Sequence, residues 1–381
     1  MAEDRQSQRV KLGLIAPEFP PSLGGMGTLA EGFARELART EEVIVFAPPA
    51  TGEVAQAAFR LRRSLRDSLS NDLDELRGER VDAWLALNAG VIPLAPYLEA
   101  PFFVYVHGSD FLNPWISYGS ACVERIRMPY LAPVRKALRR RALRRSMNAV
   151  EHVFTNSRNT ADLAAEALRI DPATISICPP GVDDKFFQQP TAPDGRSLRI
   201  LTVTRLTKHS ARNNVDGVLR AIALLDGQPP VSYTVVGEGD DAPRLHGLAR
   251  SLGICDRVRF RGRLSDAELL ACYRNTDLFI LAAKADRRDT EGFGIVYLEA
   301  SASGVPSLCS RAGGAVDAVI AGENGILIND STPETIAVAI RRFSDAGRSL
   351  SPKRVRAVAE SYRWPTVGAR LRENLLARIA R

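Results

Sequence analysis

Glu291 and Glu299 bracket seven residues that begin with the turn Gly292-Phe293-Gly294 and continue from Ile295 to Ser303 with helical composition. The preceding stretch, Asp277 to Ala282, reads as a buried strand, so the glycines fall at a strand-to-helix turn. Such a turn points free backbone N–H groups and the positive end of a helix dipole at whatever lies above it. A diphosphate suits that field. The helical rise between Gly294 and Glu299 is about 7.5 Å, which lets the two carboxylates meet opposite ends of an extended ligand and accept hydrogen bonds from sugar hydroxyls. The competing reading is an acidic helix start with Glu299 on a solvated face.

A second set of chemical groups lies in the first half. His107-Gly108-Ser109-Asp110 follows the apolar run Phe102 to Val106, at the carboxyl end of a strand, where parallel sheets bind ligands. The chain has only four histidines, His107, His152, His209 and His246, so this placement carries information. Asp110 reads as a contact for an acceptor hydroxyl or as a helix cap. Gly24, Gly25 and Gly27 follow the first strand and permit a close backbone approach to a ligand. They do not form the dinucleotide fingerprint, and Pro48 and Pro49 follow the second strand where an acidic residue would be required, which disfavours an NAD enzyme.

From Lys11 to about Trp364 these motifs follow one another in a recognisable order: the glycine loop, the His-Gly pair, Pro180-Gly181-Val182-Asp183, Arg205-Leu206, Gly237-Glu238-Gly239, and the paired glutamates. In this the chain resembles the family 4 retaining glycosyltransferases, the group 1 proteins of GT-B fold. The resemblance implies an α/β architecture of two Rossmann-like, doubly wound parallel-sheet domains facing across a cleft. It implies that Glu291 meets the donor sugar and Glu299 the ribose, while Gly292, Phe293, Gly294 and Ile295 approach the sugar and phosphate. By the same resemblance Gly24, Gly25 and Gly27 close on the donor phosphates, His107 lies at the floor of the reaction centre, and Arg205 binds phosphate. Gly237 belongs to a donor-side turn and Arg261 to a turn whose backbone reads the nucleobase. The family's second phosphate-binding cation, a lysine, has no direct counterpart: Asn213 stands in its place, with Lys208 or Arg212 to supply the charge. The reaction implied is transfer with retention, the donor phosphate taking the acceptor proton. No Asp-x-Asp metal motif occurs in the donor region, so the expectation is no metal and no cofactor beyond the nucleotide-diphosphate sugar. An epimerase or phosphorylase shares this architecture, and a non-catalytic subunit of a glycan assembly complex and a natural-product transferase are further alternatives.

Composition sets the frame for these groups. A chain of 381 residues with 45% hydrophobic and 25% charged side chains suits two globular domains. No apolar run of 18 residues marks a membrane span, and Met1 to Arg9 lacks the apolar core of a signal peptide, so cytoplasmic residence is expected. The five cysteines are widely spaced without a Cys-x-x-Cys pair, against zinc or a disulfide framework. Alternating strands and helices predict a first domain over residues 1–185, with strands at 10–16, 43–47, 83–87, 102–106, 152–155 and 175–178. A second domain, 196–360, has expected strands at 198–203, 232–236, 258–260, 278–281 and 307–309. A last helix over 361–381 resembles the family's terminal helix that returns to the first domain. The net charge of +7 arises beyond residue 190, since the first 190 residues hold 23 basic and 23 acidic side chains. Even so, seven cations crowd between Arg135 and Arg145, above Leu131, Val134, Leu138 and Ala142 at helical spacing. Residues 131–147 therefore read as a basic amphipathic helix whose expected partner is an anionic membrane surface. A solvated helix face is the alternative, and nucleic acid is disfavoured because no aromatic stacking set accompanies the cations. A hydroxyl acceptor linked to lipid, in envelope polysaccharide or glycolipid assembly at the inner face of the membrane, follows as the expected substrate.

Overall fold

The computed structural model describes residues 9–21, 24–50, 58–66, 68–108, 110–112, 132–192, 197–284, 291–347 and 350–379. Leu131 lies outside them. The chain divides into two compact units, Met1–Gly181 with Trp364–Arg381, and Val182–Arg363.

The first unit is built on a seven-stranded sheet ordered β3-β2-β1-β4-β5-β6-β7. Its strands are β1 Lys11–Ile15, β2 Glu42–Phe46, β3 Arg60–Arg62, β4 Ala83–Ala86, β5 Phe102–Val106, β6 His152–Thr155 and β7 Ile175–Ile177, all parallel. Helices cover both faces, so the central strands are continuous apolar runs rather than alternating ones. Leu12, Leu14, Val43 and Val45 enter one core, while Ile15, Ile44, Phe46 and Val104 enter the other. The edge strand β3 was not expected from Arg-Leu-Arg. An edge strand needs no second apolar neighbour, and this one is flanked by ion pairs from Arg60 (3.1 Å) and Arg62 (3.4 Å) to Glu79.

Helix α1, Gly25–Leu37, packs against the last helix of the chain, Trp364–Ile379, which lies in this same unit. Val367, Leu371 and Leu375 recur at a spacing of four and are buried. The Trp364 ring stands edge-on to Phe33, with centroids 5.7 Å apart. A Cβ placed on Gly32 would lie 2.2 Å from that ring, and one on Gly181 2.3 Å from it. Only hydrogens at both positions leave room for the indole.

Another helix, Ala132–Ser146, covers the expected basic segment from its second residue onward, and not all of its arginines face outward. Val134 and Leu138 are exposed, at 47% and 40%. Arg140 instead turns inward and donates to the Leu112 carbonyl at 3.0 and 2.8 Å, and Arg144 donates to the Ala167 carbonyl at 2.8 Å. Ala167 is in the last turn of helix Arg158–Leu168, where carbonyls lack helical partners and a guanidinium satisfies them. Leu143 and Met147 provide the apolar anchoring. Among the described residues no helix is long and apolar enough to cross a membrane.

The second unit carries a six-stranded parallel sheet ordered β10-β9-β8-β11-β12-β13. The strands are β8 Leu198–Val203, β9 Val231–Val236, β10 Val258–Phe260, β11 Leu278–Leu281, β12 Ser307–Ser310 and β13 Gly325–Ile328. The last of these adds an edge strand to the five expected. The unit begins and ends side by side: Val182 forms a parallel bridge with Arg363, and its N–H donates to the Tyr362 carbonyl at 2.8 Å.

Gly32→Ala is expected to destabilise the first unit by about 1–3 kcal/mol through overpacking against Trp364, seen as a lower thermal or denaturant midpoint. A midpoint equal to that of the unmodified chain would show that the indole seat yields freely.

Candidate active site

In both units the chemistry-bearing residues leave the carboxyl ends of the strands. In the second unit the loops after β8, β9 and β10 are knitted by backbone hydrogen bonds. Leu206 N–H donates to Glu238 O (2.9 Å), Asp241 N–H to Leu206 O (2.8 Å), and Gly237 N–H to Gly262 O (2.8 Å). The loops after β11 and β12 are joined in the same way, Gly314 N–H donating to the Glu291 carbonyl at 2.8 Å. Gly313 has φ 62°, and a Cβ there would fall 2.4 Å from that carbonyl oxygen. A glycine is therefore required for the Glu291 backbone to sit where it does. Phe293 is buried, its ring 5.9 Å from that of Tyr362, and fixes the turn from beneath. Gly294 caps the helix Ile295–Ala302.

The Glu291 carboxylate is half-buried and lies 3.7 Å from the Arg212 guanidinium. Arg212 comes from a short 3₁₀ segment, Lys208–Asn213. Its carbonyl accepts from Lys284 N–H at 2.7 Å, which ties the segment to the end of β11. Asn213 is buried and donates to the Thr204 hydroxyl. Asn214, left-handed at φ 60°, donates to the carbonyls of Ala282 (3.0 Å) and Ser331 (2.8 Å) and starts helix Val215–Leu224. The asparagine that replaces the expected lysine is thus a structural tether. Of the two candidate cations, Arg212 is the one at Glu291. Lys208 is exposed, and its backbone N–H donates to Asp240 at 2.9 Å. Arg205 is exposed at the end of β8. At about 4 Å and an effective dielectric of 20, unit charges attract by about 4 kcal/mol before desolvation.

Glu299 is partly exposed, with one carboxylate oxygen held by the protein. Its Oε2 accepts from the Tyr273 hydroxyl at 2.8 Å. Burial pushes its pKa up to about 7, opposed by the Tyr273 hydrogen bond and by Lys185 and reinforced by Asp183 and Asp266. The Arg261 backbone N–H donates to Val235 O at 2.9 Å, and its exposed guanidinium lies 3.8 Å from Glu268.

In the first unit, His107 directly follows β5 and its Nε2 lies 2.8 Å from the Leu87 carbonyl. A carbonyl only accepts, so Nε2 carries the proton and Nδ1 keeps its lone pair. Burial lowers the His107 pKa, against the opposing influence of Asp110 and the Leu87 carbonyl. Asp110 is itself buried, with Oδ1 accepting from His107 N–H (3.0 Å) and Oδ2 from Ala89 N–H (2.9 Å). Both carboxylate oxygens are used in holding the histidine's backbone and the turn after β4. Asn88 orders the same turn by accepting from Gly90 N–H at 2.7 Å, and its amide lies 3.6 Å from the Met26 sulfur, at the start of α1. Gly24 precedes that helix, and Gly27 is buried in its first turn, whereas Gly25 has open space where a side chain would be. Ser109 lies outside the described residues.

Sequence reading did not find Tyr273, which lies 26 positions from its partner, and left Arg212 as one of two choices. A tyrosine in a helix of mixed composition carries no signal of a buried hydroxyl contact.

Two parallel Rossmann-like sheets with ligand-facing loops at their strand ends define the GT-B class of sugar-transferring proteins. The profile for Glycosyltransferase Family 4 matches residues 23–186, and that for Glycosyl transferases group 1 matches residues 183–364. The chain belongs to this glycosyltransferase family. It is 29% identical to the GDP-mannose-dependent alpha-(1-6)-phosphatidylinositol monomannoside mannosyltransferase of Mycolicibacterium smegmatis, over 96% of this chain and 98% of that protein. It is 26% identical to the D-inositol 3-phosphate glycosyltransferase of Corynebacterium diphtheriae, over 91% and 88% of the respective chains. Among solved structures, Anabaena HepE in complex with UDP and glucose superposes with a TM-score of 0.75 at 18% identity, over 96% of this chain and 99% of that one.

Arg212→Ala is expected to weaken GDP or UDP binding by about 10- to 100-fold, as loss of a charge-assisted contact does, while Lys208→Ala changes it by less than about threefold. Calorimetric titration of the two variants distinguishes the cations.

Proposed function

We propose that this glycosyltransferase moves mannose from GDP-mannose, with retention of anomeric configuration, to a hydroxyl of a lipid-linked glycan in envelope assembly. The observation that carries the transferase chemistry is the Glu291 turn, which sets a carboxylate beside the Gly294 helix start and within 3.7 Å of the Arg212 guanidinium from the neighbouring loop after β8. The near full-length likeness to a GDP-mannose-dependent enzyme supports the choice of donor, and that enzyme's phosphatidylinositol monomannoside acceptor supports a lipid-linked one.

In this reading Glu299 takes the ribose, Arg205 and Arg212 take the diphosphate, and Glu291 takes the mannosyl hydroxyls. Gly237 and the Arg261 backbone belong to the nucleotide side, and Gly292 to Ile295 bring their amides to the phosphate. Departure of GDP adds negative charge beside two glutamates, and the arginines and the helix start offset it. A leaving phosphate oxygen takes the acceptor proton, so the chain needs no dedicated base, metal or resident cofactor. His107, neutral and with Nδ1 unprotonated, acts as a hydrogen-bond acceptor for a sugar hydroxyl, and Asp110 positions it. Incubation of the purified chain with GDP-mannose and mannosylated phosphatidylinositol is expected to yield an α-linked product, read by NMR of the new anomeric proton. Glu291→Gln should lower turnover by at least about 100-fold. Transfer from UDP-sugars alone would reassign the donor, and no transfer from any nucleotide sugar by the folded protein would overturn the reading.

The outward face of helix Ala132–Ser146 supports residence at the cytoplasmic face of an anionic membrane. Val134 and Leu138 are exposed there beside exposed Arg141 and Arg145, an arrangement that combines apolar insertion with attraction to acidic headgroups. Flotation with phosphatidylserine vesicles is expected to recover the chain and to fail for Arg141→Glu/Arg145→Glu. Equal recovery of both would remove the membrane assignment.

A further inference from the structure

Within the second unit, the Glu299 carboxylate meets a buried phenol. Tyr273, near the end of helix Asp266–Arg274, is fully buried, and its ring packs edge-on against Phe186 at 5.7 Å and tilted against Phe279 at 6.1 Å. Phe186 is held in turn by Ser303, whose hydroxyl donates to the Phe186 carbonyl at 3.1 Å. The phenol has no freedom to swing, and its hydroxyl points at Glu299 Oε2, 2.8 Å away. Burial raises the Tyr273 pKa well above the ordinary value, so this hydroxyl remains a donor throughout the working pH range. Oε1 has no protein partner among the described residues.

We propose that Tyr273 is a positioning residue of the donor site, clamping Oε2 so that Glu299 presents Oε1 to a ribose hydroxyl as an ionised acceptor. The inference rests on the reading of Glu299 as the nucleoside contact. Its consequence is a proton-dependent donor affinity. The charged groups around the carboxyl are Asp183 and Lys185 from the segment entering the unit and Asp266 from the helix that carries Tyr273. The two aspartates favour protonation and Lys185 opposes it. Lys185 is also drawn away, its ammonium 2.6 Å from Asp266. That leaves the uncharged phenol as the nearest group favouring ionisation. With the carboxyl pKa at about 7, protonation sets in at neutrality, and a protonated carboxyl gives up acceptor strength toward the ribose.

Calorimetric titration of GDP, with UDP in parallel, from pH 5.5 to 8.5 tests this on the full chain, Tyr273→Phe and Glu299→Gln, with melting temperatures recorded alongside. For the unmodified chain Kd should weaken about tenfold per pH unit below pH 7. Tyr273→Phe should bind about tenfold more weakly at pH 7, recovering toward the unmodified value by pH 8.5 because alkali restores the carboxylate that the phenol no longer supports. Glu299→Gln should be weak throughout, its remaining slope reporting the diphosphate's own titration. A Tyr273→Phe profile that superposes on the unmodified one, or that is weaker by the same factor at every pH, overturns the proposal while leaving the ribose contact intact. Equal binding by the unmodified chain and Glu299→Gln, or no binding of either nucleotide, overturns the reading of Glu299 and the proposal with it.

Discussion

Both sheets are wholly parallel, and this constraint organises everything else. Parallel strands require crossovers, crossovers bring helices onto both faces, and each loop that leads from a strand into a helix opens at the same edge. The glycine loop after β1, Asn88 after β4 and His107 after β5 share one such edge; Arg205, Gly237, Arg261, Glu291 and Gly313, after β8 to β12, share another. No single loop builds a site, but each sheet gathers short loops from distant parts of the sequence.

The loops are then made rigid by one another. In the second unit, carbonyls and N–H groups left over at strand ends pair across neighbouring loops, as Gly314 does with Glu291 and Leu206 with Glu238. The same economy explains the inward arginines of the basic helix, since Arg144 meets a carbonyl at another helix's end. Long cationic side chains here complete backbone hydrogen bonding as well as carrying charge. Sequence clustering of positive residues therefore overstates how much charge reaches the surface.

Most of the architecture was legible because buried parallel strands announce themselves as apolar runs: VIVF in β2, FFVYV in β5 and LFIL in β11. The edge strands β3 and β13 were not, since an edge is covered less and tolerates Arg-Leu-Arg or a short Gly-Ile-Leu-Ile. The glutamate pair and its turn were readable from spacing and glycine content. Which cation meets Glu291 was not, because the choice depends on how a six-residue 3₁₀ segment winds and on Asn213 and Asn214 tethering its end. Tyr273 was equally hidden, since its role arises from packing between Phe186 and Phe279. The helix Ala132–Ser146 was readable as a helix, but the inward turn of Arg140 and Arg144 was not, because periodicity does not say which arginines a neighbouring carbonyl will recruit.

The bridge between Val182 and Arg363 makes the second unit an insertion, with both of its ends at one place. During synthesis the ribosome delivers that unit in one uninterrupted stretch, so it can complete its fold before the first unit has received its closing helix. Until Trp364 and the residues after it emerge, the nascent first unit carries an uncovered apolar groove along Phe33 and Leu37. The piece translated earliest is thus the piece finished last, and it is the one a chaperone would have to shield.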